Sequence, residues 1–212
     1  MNGRAPGRFI TLEGGEGAGK STQIARLARW LENRGREVIL TREPGGSPGA
    51  EMIRKLLVEG PADKWDGTTE ALLHFAARRD HLRSTVWPAL EFGTWVVSDR
   101  FADSTRAYQG YGHGLELEGL DRLYEIAVDG FRPDLTVILD LPVELGLARA
   151  SQRRGTETRY ESLPRDFHER VRQGFLDIAK AEPRRCAIVD ASKDIESIAG
   201  AIVRVVADRL GT

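Results

Sequence analysis

Apolar and polar residues alternate along this chain with two different periods, and the switches between them divide it into strands and helices. Phe9-Ile10-Thr11-Leu12 is a short, partly β-branched apolar run of strand type. Ile24, Leu27, Ala28 and Leu31 then recur three and four residues apart, which predicts a helix. A strand follows at 37–41 and a short helix at 50–58. A long helix runs from 69 to about 86, with Leu72, Leu73, Ala76 and Leu82 as its apolar face and Pro88 marking its end or a kink. Strands at 94–99, 135–141 and 186–190 and helices near 117–128, 164–181 and 195–210 complete the pattern. Strands alternating with helices predict an α/β fold: a five-stranded parallel sheet covered on both faces.

Between the first strand and the first helix lies Gly14-Gly15-Glu16-Gly17-Ala18-Gly19-Lys20-Ser21-Thr22, which fits the P-loop pattern GxxxxGK(S/T). Glycines let the chain curl so that successive N–H groups face an anion, and the helix opening near Gly19 adds its positive dipole end. Lys20 brings a point charge to the β- and γ-phosphates, and the Ser21 hydroxyl suits Mg²⁺. A glycine-rich turn with an accidental lysine is the alternative, and the flanking strand and helix argue against it. The chain is expected to bind a nucleoside triphosphate.

Other polar residues gather at strand ends, where ligands bind in parallel sheets. Arg42 and Glu43, followed by Pro44, end the second strand; from spacing alone they read equally as a surface ion pair. The third strand ends in Asp99 and Arg100, an acid placed to hold Mg²⁺ through water and a base able to take a phosphate. His74 and Arg78 share a face of the long helix, which by itself is usually solvated surface. Arg149, Arg153, Arg154 and Arg159 crowd one stretch, either a solvated helix end or a mobile arginine-bearing flap over a triphosphate.

Composition narrows the partners. A formal net charge of −1 supplies no global field toward nucleic acid or an anionic membrane. The single cysteine, Cys186, sits in an apolar run and reads as a buried thiol in a reducing compartment. Residues 1–7 are polar and flexible in expectation, without the apolar core of a secretory signal, and no apolar run is long enough to span a membrane. A cytoplasmic enzyme of one domain, 1–212, with a lid near 150–163, is expected.

Taken together, EGGEGAGKST, TREPGG, the Phe75-Ala76-Ala77-Arg78 helix, SDRF at 98–101, STRAYQG at 104–110 and RPDLTVILD at 132–140 resemble bacterial thymidylate kinase from Arg8 onward. The resemblance implies the P-loop kinase three-layer sandwich and transfer of the γ-phosphoryl group of MgATP to dTMP by a homodimer. It implies that Lys20 and Ser21 hold the ATP phosphates and Mg²⁺, that Arg42 and Arg100 grip the acceptor phosphate, and that Glu43 and Pro44 shape that pocket. Arg54 and Arg78 would face the thymine edge, with Thr105 and Gln109 completing base recognition. Tyr108 would crowd the ribose 2′ position, and Glu16 would lie near the sugar 3′-hydroxyl and the metal. The turn Asp190-Ala191-Ser192 and Arg149 would flank adenine.

The P-loop contains no arginine, so the resemblance is to the subtype whose catalytic arginine is on the lid, with Arg153 first and Arg159 or Arg154 in reserve. The sequence departs from the family at His74, where many members have a phenylalanine stacked on thymine; either His74 or Phe75 takes that place. Alternatives are a kinase of another nucleoside monophosphate, or an NTPase switch. A GTPase-type switch is expected to carry Asn-Lys-x-Asp, which this chain lacks.

Overall fold

The computed structural model describes residues 6–61, 63–152 and 159–212. Five strands, β1 (Phe9–Glu13), β2 (Val38–Arg42), β3 (Trp95–Asp99), β4 (Leu135–Asp140) and β5 (Cys186–Asp190), form one parallel sheet in the order β2-β3-β1-β4-β5. The P-loop strand is therefore central, with the strand ending in Asp99 beside it. The strand order reverses around β1, which opens a crevice at its carboxyl end.

Both faces of the sheet are covered. Ile10, Leu12, Val97 and Leu139 point to one side, against α1 (Lys20–Glu32) and α9 (Ile195–Leu210). Phe9 and Val96 point to the other, where Phe75, Phe101 and Leu120 pack. That second face is built from α2 (Pro48–Val58), α3 (Gly67–His81) and α6 (Leu117–Val128), with α8 (Arg165–Ala181) supplying Phe167 and Phe175 nearer β4. This alternation is the period of two that β-strands impose on side chains.

The long helix continues beyond the expected boundary. After α3 it widens into a π-helical turn at Leu82–Val86 and resumes as α4 (Trp87–Glu91), so the chain passes through Pro88 without stopping. A proline lacks the N–H that an α-helix needs, and the wider turn just upstream accommodates it. A second π-helical stretch, Arg106–Gly112, extends the short α5 (Ala102–Thr105). The helix α7 (Val143–Ser151), which the apolar pattern does not single out, supplies Gly146 behind the P-loop.

Candidate active site

The P-loop closes tightly because its glycines do what other residues cannot. Gly14 and Gly17 have φ of 132° and 70°, and a Cβ on Gly17 would run into the carbonyl of Gly146. Gly19, at φ 85°, starts α1 without a capping side chain, whereas Asp66 caps α3 and Asp194 caps α9. The first N–H groups of α1 are thus left for an anion. Lys20 folds back over the loop and donates to the carbonyls of Gly14 and Gly15, each at 3.1 Å. Burial, helped by the nearby Arg100 cation, lowers its pKa to about 8.

Beyond the loop, the exposed Ser21 hydroxyl donates to Asp99 Oδ2 at 3.1 Å. These hard oxygens suit Mg²⁺, which keeps most of its waters and takes few protein ligands. No cluster of three acidic, histidine or cysteine side chains competes as a metal site among the described residues. Ala18 is buried and Thr22 exposed at the start of α1. On the far side Arg149 Nη1 donates to the Ala191 carbonyl at 3.0 Å, which brings Arg149 to the Ser192 turn.

Next to the P-loop lies a second cleft of about 600 Å³, open to solvent and lined in part by Glu16, Pro44, Arg54, His74, Arg100, Tyr108 and Gln109. Arg100 joins the two halves. Its backbone is left-handed, at φ 70°, a conformation uncommon outside glycine. Three bonds hold it there: Arg100 N–H to Leu12 O at 3.0 Å, Ser98 Oγ to Arg100 O at 2.8 Å, and Phe101 N–H to Glu13 Oε1 at 2.7 Å. The guanidinium donates to Gly14 O, Ser104 Oγ, Glu16 Oε1 and Tyr108 OH, all within 3.0 Å. Burial favours neutral Glu16, but Arg100 and Lys20 outweigh it and bring its pKa down to about 2.

Against the wall of the cleft formed by Glu43 and Gln109 lies a buried polar cluster. Arg78, 1% exposed, donates from Nε to Glu43 Oε2 at 2.7 Å and from Nη2 to Thr105 Oγ1 at 3.1 Å, with Phe75 and Phe101 rings near 5 Å. Its Nη1 has no protein partner. Gln109 donates through Nε2 to Glu70 Oε2 at 2.8 Å, and its buried Oε1 likewise has none. Because an ionised carboxylate only accepts, that bond fixes which way the Gln109 amide points. Burial works against the Glu70 charge, yet the bonds from His113, Gln109 and Arg159 hold its pKa down at about 2. Arg54 Nη1 donates to Pro44 O at 2.6 Å, and the Glu43–Pro44 peptide is cis.

Several expected residues take other positions. Phe75 packs into the core beside Phe101, so His74 is the residue that lines the cleft. The helix needs an apolar residue at 75 to face the sheet, and its neighbour, about 100° round, must face away. Arg42 is half-exposed at the end of β2 and paired with Glu51 at 3.0 Å. Arg159 is buried, paired with Glu70 at 2.5 Å and donating to Pro61 O and Leu57 O, rather than extended toward the P-loop. Arg153 and Arg154 lie outside the described residues. The sequence reading missed Glu13, Glu70, His81 and Tyr160. His81 bonds Glu43 at 2.9 Å and Thr41 at 2.6 Å and so fixes the carboxylate that holds Arg78. A histidine inside an arginine-rich helix gave no signal beyond its spacing of three from Arg78.

A P-loop at the centre of a covered parallel sheet, facing an adjoining cleft lined by Arg54 and Arg100, defines a P-loop nucleotide kinase. A model of the family described as thymidylate kinase matches residues 12–202. The chain is 55% identical over 205 residues to a thymidylate kinase of Caulobacter vibrioides, covering 97% of this chain and 98% of that protein. It is 53% identical over 213 residues to one of Rhodopseudomonas palustris, covering 99% and 93%. The crystal structure of thymidylate kinase from Ehrlichia chaffeensis superposes with a TM-score of 0.76 at 35% identity, over 95% of this chain and 99% of that one. This chain belongs to the thymidylate kinase family.

Proposed function

We propose that the chain is a dTMP kinase, transferring the γ-phosphoryl group of ATP to dTMP to give dTDP and ADP. Family membership supports the reaction, and one local observation carries the choice of base. The polar cluster against the Glu43 and Gln109 wall of the cleft leaves a buried donor, Arg78 Nη1, and a buried acceptor, Gln109 Oε1, without protein partners. Thymine offers the complement, a carbonyl at O4 and an N–H at N3. Cytosine offers the reverse, an amino group and a bare ring nitrogen, and would leave two buried polar groups unpaired.

The acceptor phosphate is already anionic, so the reaction needs charge neutralisation and alignment more than a general base. Arg100, fixed in its strained turn, grips that phosphate together with Arg42, and the P-loop N–H groups and Lys20 hold the ATP phosphates. Glu16, kept ionised, orients Arg100 and faces the sugar, and Tyr108 closes the space over the ribose. Ser21 and Asp99 would hold Mg²⁺, which would supply further charge neutralisation. Arg149 and Ser192 flank the adenine. Arg159 is engaged by Glu70, which leaves Arg153, with Arg154 in reserve, as the lid arginine that meets transition-state charge. Phosphorus NMR of dTMP incubated with MgATP tests the reaction: dTDP and ADP appear in equal amounts if it is correct.

The chain acts as one domain, with its lid at about 150–163, and as a homodimer. Met52 and Leu56 on α2, Leu72 on α3 and Ile126 on α6 are exposed apolar residues on neighbouring helices, a surface that a second copy would cover. Val86, in the π-helical turn after α3, is fully buried and adds nothing to that surface. Light scattering on the eluting protein checks the dimer. No helix among the described residues is long and apolar enough to cross a membrane, and the buried lone thiol of Cys186 suits a reducing cytoplasm.

A further inference from the structure

Where the family resemblance leads one to expect an aromatic hydrocarbon, the cleft presents an imidazole, and that imidazole is not left free to turn. His74 Nε2 lies 3.2 Å from the hydroxyl of Tyr160, and Tyr160 OH lies 3.2 Å from Glu70 Oε2. Glu70 is fully buried and heavily bonded: Arg159 takes Oε1 at 2.5 Å, and Gln109 shares Oε2 at 2.8 Å. His74 and Tyr160 both line the acceptor cleft, on opposite sides of a gap in the sequence of more than eighty residues.

The direction of each bond follows from proton inventory. Ionised Glu70 can only accept, so the single hydroxyl proton of Tyr160 goes to it. The Tyr160 oxygen is then the acceptor for His74, whose ring proton must sit on Nε2, leaving Nδ1 bare. Burial and the adjacent Arg78 cation both disfavour imidazolium, lowering the His74 pKa to about 3, so the ring stays neutral across the working range. The tyrosine ring is itself wedged edge-on against Tyr108 at 5.5 Å, with the Arg159 guanidinium 5.4 Å away.

We propose that Tyr160 is a positioning residue for acceptor binding: anchored on Glu70, it holds the His74 ring in one tautomer and one orientation against the acceptor's base. A phenylalanine at position 74 would need no such partner, and the pair His74–Tyr160 replaces an apolar surface by a hydrogen-bonded one. The inference rests on the cleft being the nucleoside monophosphate site, and it adds a residue from the second half of the 150–163 stretch to the determinants of acceptor affinity. Gln109 is tied to the same carboxylate, so Glu70 organises both the ring beside the base and the amide that reads its edge.

The test is a double-mutant cycle of Tyr160→Phe, His74→Phe and the pair in the full-length enzyme, with separate KM values for dTMP and ATP. Losing one neutral hydrogen bond predicts a roughly fivefold rise in KM for dTMP in Y160F, with kcat and the KM for ATP changed less than about twofold. In the H74F background the same Tyr160→Phe step has less than about a twofold effect, because the bond it removes is already gone. An equal penalty in both backgrounds, no change in the KM for dTMP, or a parallel rise in the KM for ATP overturns the proposal. A long-range ¹H–¹⁵N spectrum of the unliganded enzyme gives a readout that needs no substrate: His74 protonated on Nε2 supports the proposal, and a proton on Nδ1 contradicts it. A wild-type enzyme inactive on dTMP would count against the dTMP reading, while the tautomer would still decide the role of Tyr160.

Discussion

The Tyr108 hydroxyl donates to Glu16 Oε1 at 2.7 Å, and Arg100 reaches that same oxygen at 2.9 Å. One carboxylate oxygen thus ties the P-loop to the strand end and to the π-helical stretch on the far wall of the cleft. Arg100 Nη2 also donates to the Tyr108 hydroxyl at 2.9 Å, and its guanidinium lies 4.9 Å from the ring centre. The three residues form a closed triangle in which each fixes the other two, where the acceptor phosphate and the sugar would meet.

Opening that triangle is expected to hurt turnover more than stability. Tyr108→Phe keeps the ring and removes the hydroxyl, so Glu16 and Arg100 each lose one partner. Glu16 and Arg100 stay paired with each other, so the net loss is that of one hydrogen bond to a charged group, about 1.5–3 kcal/mol. The kcat/KM for dTMP should therefore fall roughly ten- to a hundredfold. The melting temperature should fall by no more than a few degrees. Steady-state kinetics beside a thermal melt check this, and an unchanged kcat/KM would show that the triangle is incidental to the reaction.

Lys20 should take up a proton when ATP binds at high pH. In the empty enzyme burial and Arg100 hold its pKa to about 8, so the lysine is charged below that pH and mostly neutral above it. A bound triphosphate favours the charged form and raises the pKa, so binding above pH 8 must draw in a proton, while binding at pH 6.5 need not. Calorimetry at pH 8.8 in two buffers of different ionisation enthalpy reads the uptake directly. Equal heats in the two buffers would contradict it.

Glu43 is a stability determinant as well as part of the cleft. Both it and Arg78 are almost fully buried, and Arg78 pairs with it at 2.7 Å. Glu43→Ala leaves a buried guanidinium uncompensated and should cost about 3–5 kcal/mol of unfolding free energy. Urea denaturation of the variant measures it, and a loss under about 1 kcal/mol would mean that the site relaxes around the missing charge.

Glu13 should make the fold less stable as pH rises. Burial raises its pKa from 4.5 to about 8, with Asp103 adding to the effect. The native state therefore holds a proton that the unfolded chain has released, and unfolding becomes easier through the window from about 4.5 to 8. Above that window the penalty is complete; below it there is none. Glu13→Gln mimics the protonated acid and can keep the bond from the Phe101 N–H, so the melting temperature of E13Q relative to wild type should climb between pH 5 and 8.5. A constant difference would rule the effect out.

The architecture was legible in the sequence because it follows from short-range signals. The five strands appear within a residue or two of where apolar runs begin and end, and the P-loop announces itself through glycines whose φ angles no other residue takes comfortably. Asp99 reads as the end of the third strand, and it closes β3, which pairs with β1. What was not legible depends on contacts between distant segments. Glu13 reads as one more P-loop flank, yet it clamps a turn 88 residues away. Glu70 reads as a first-turn helix acid, yet it anchors Tyr160 and Arg159, some ninety residues further along the chain. The choice between His74 and Phe75 turns on which neighbour faces the sheet, and helical spacing alone could not say. The π-helical stretches have no sequence signature, although the one at Arg106–Gly112 carries Tyr108 and Gln109 into the cleft together.

The most direct measurement is a coupled ADP-release assay with MgATP and a panel of acceptors: dTMP, dUMP, dCMP, dGMP, UMP and CMP. The unpartnered donor of Arg78 and acceptor of Gln109 predict dTMP first, dUMP weaker because it shares the same base edge but lacks the methyl group, and the cytidine acceptors far behind. ADP release without any acceptor, or a preference for a cytidine or guanosine monophosphate, would contradict the account of the cleft.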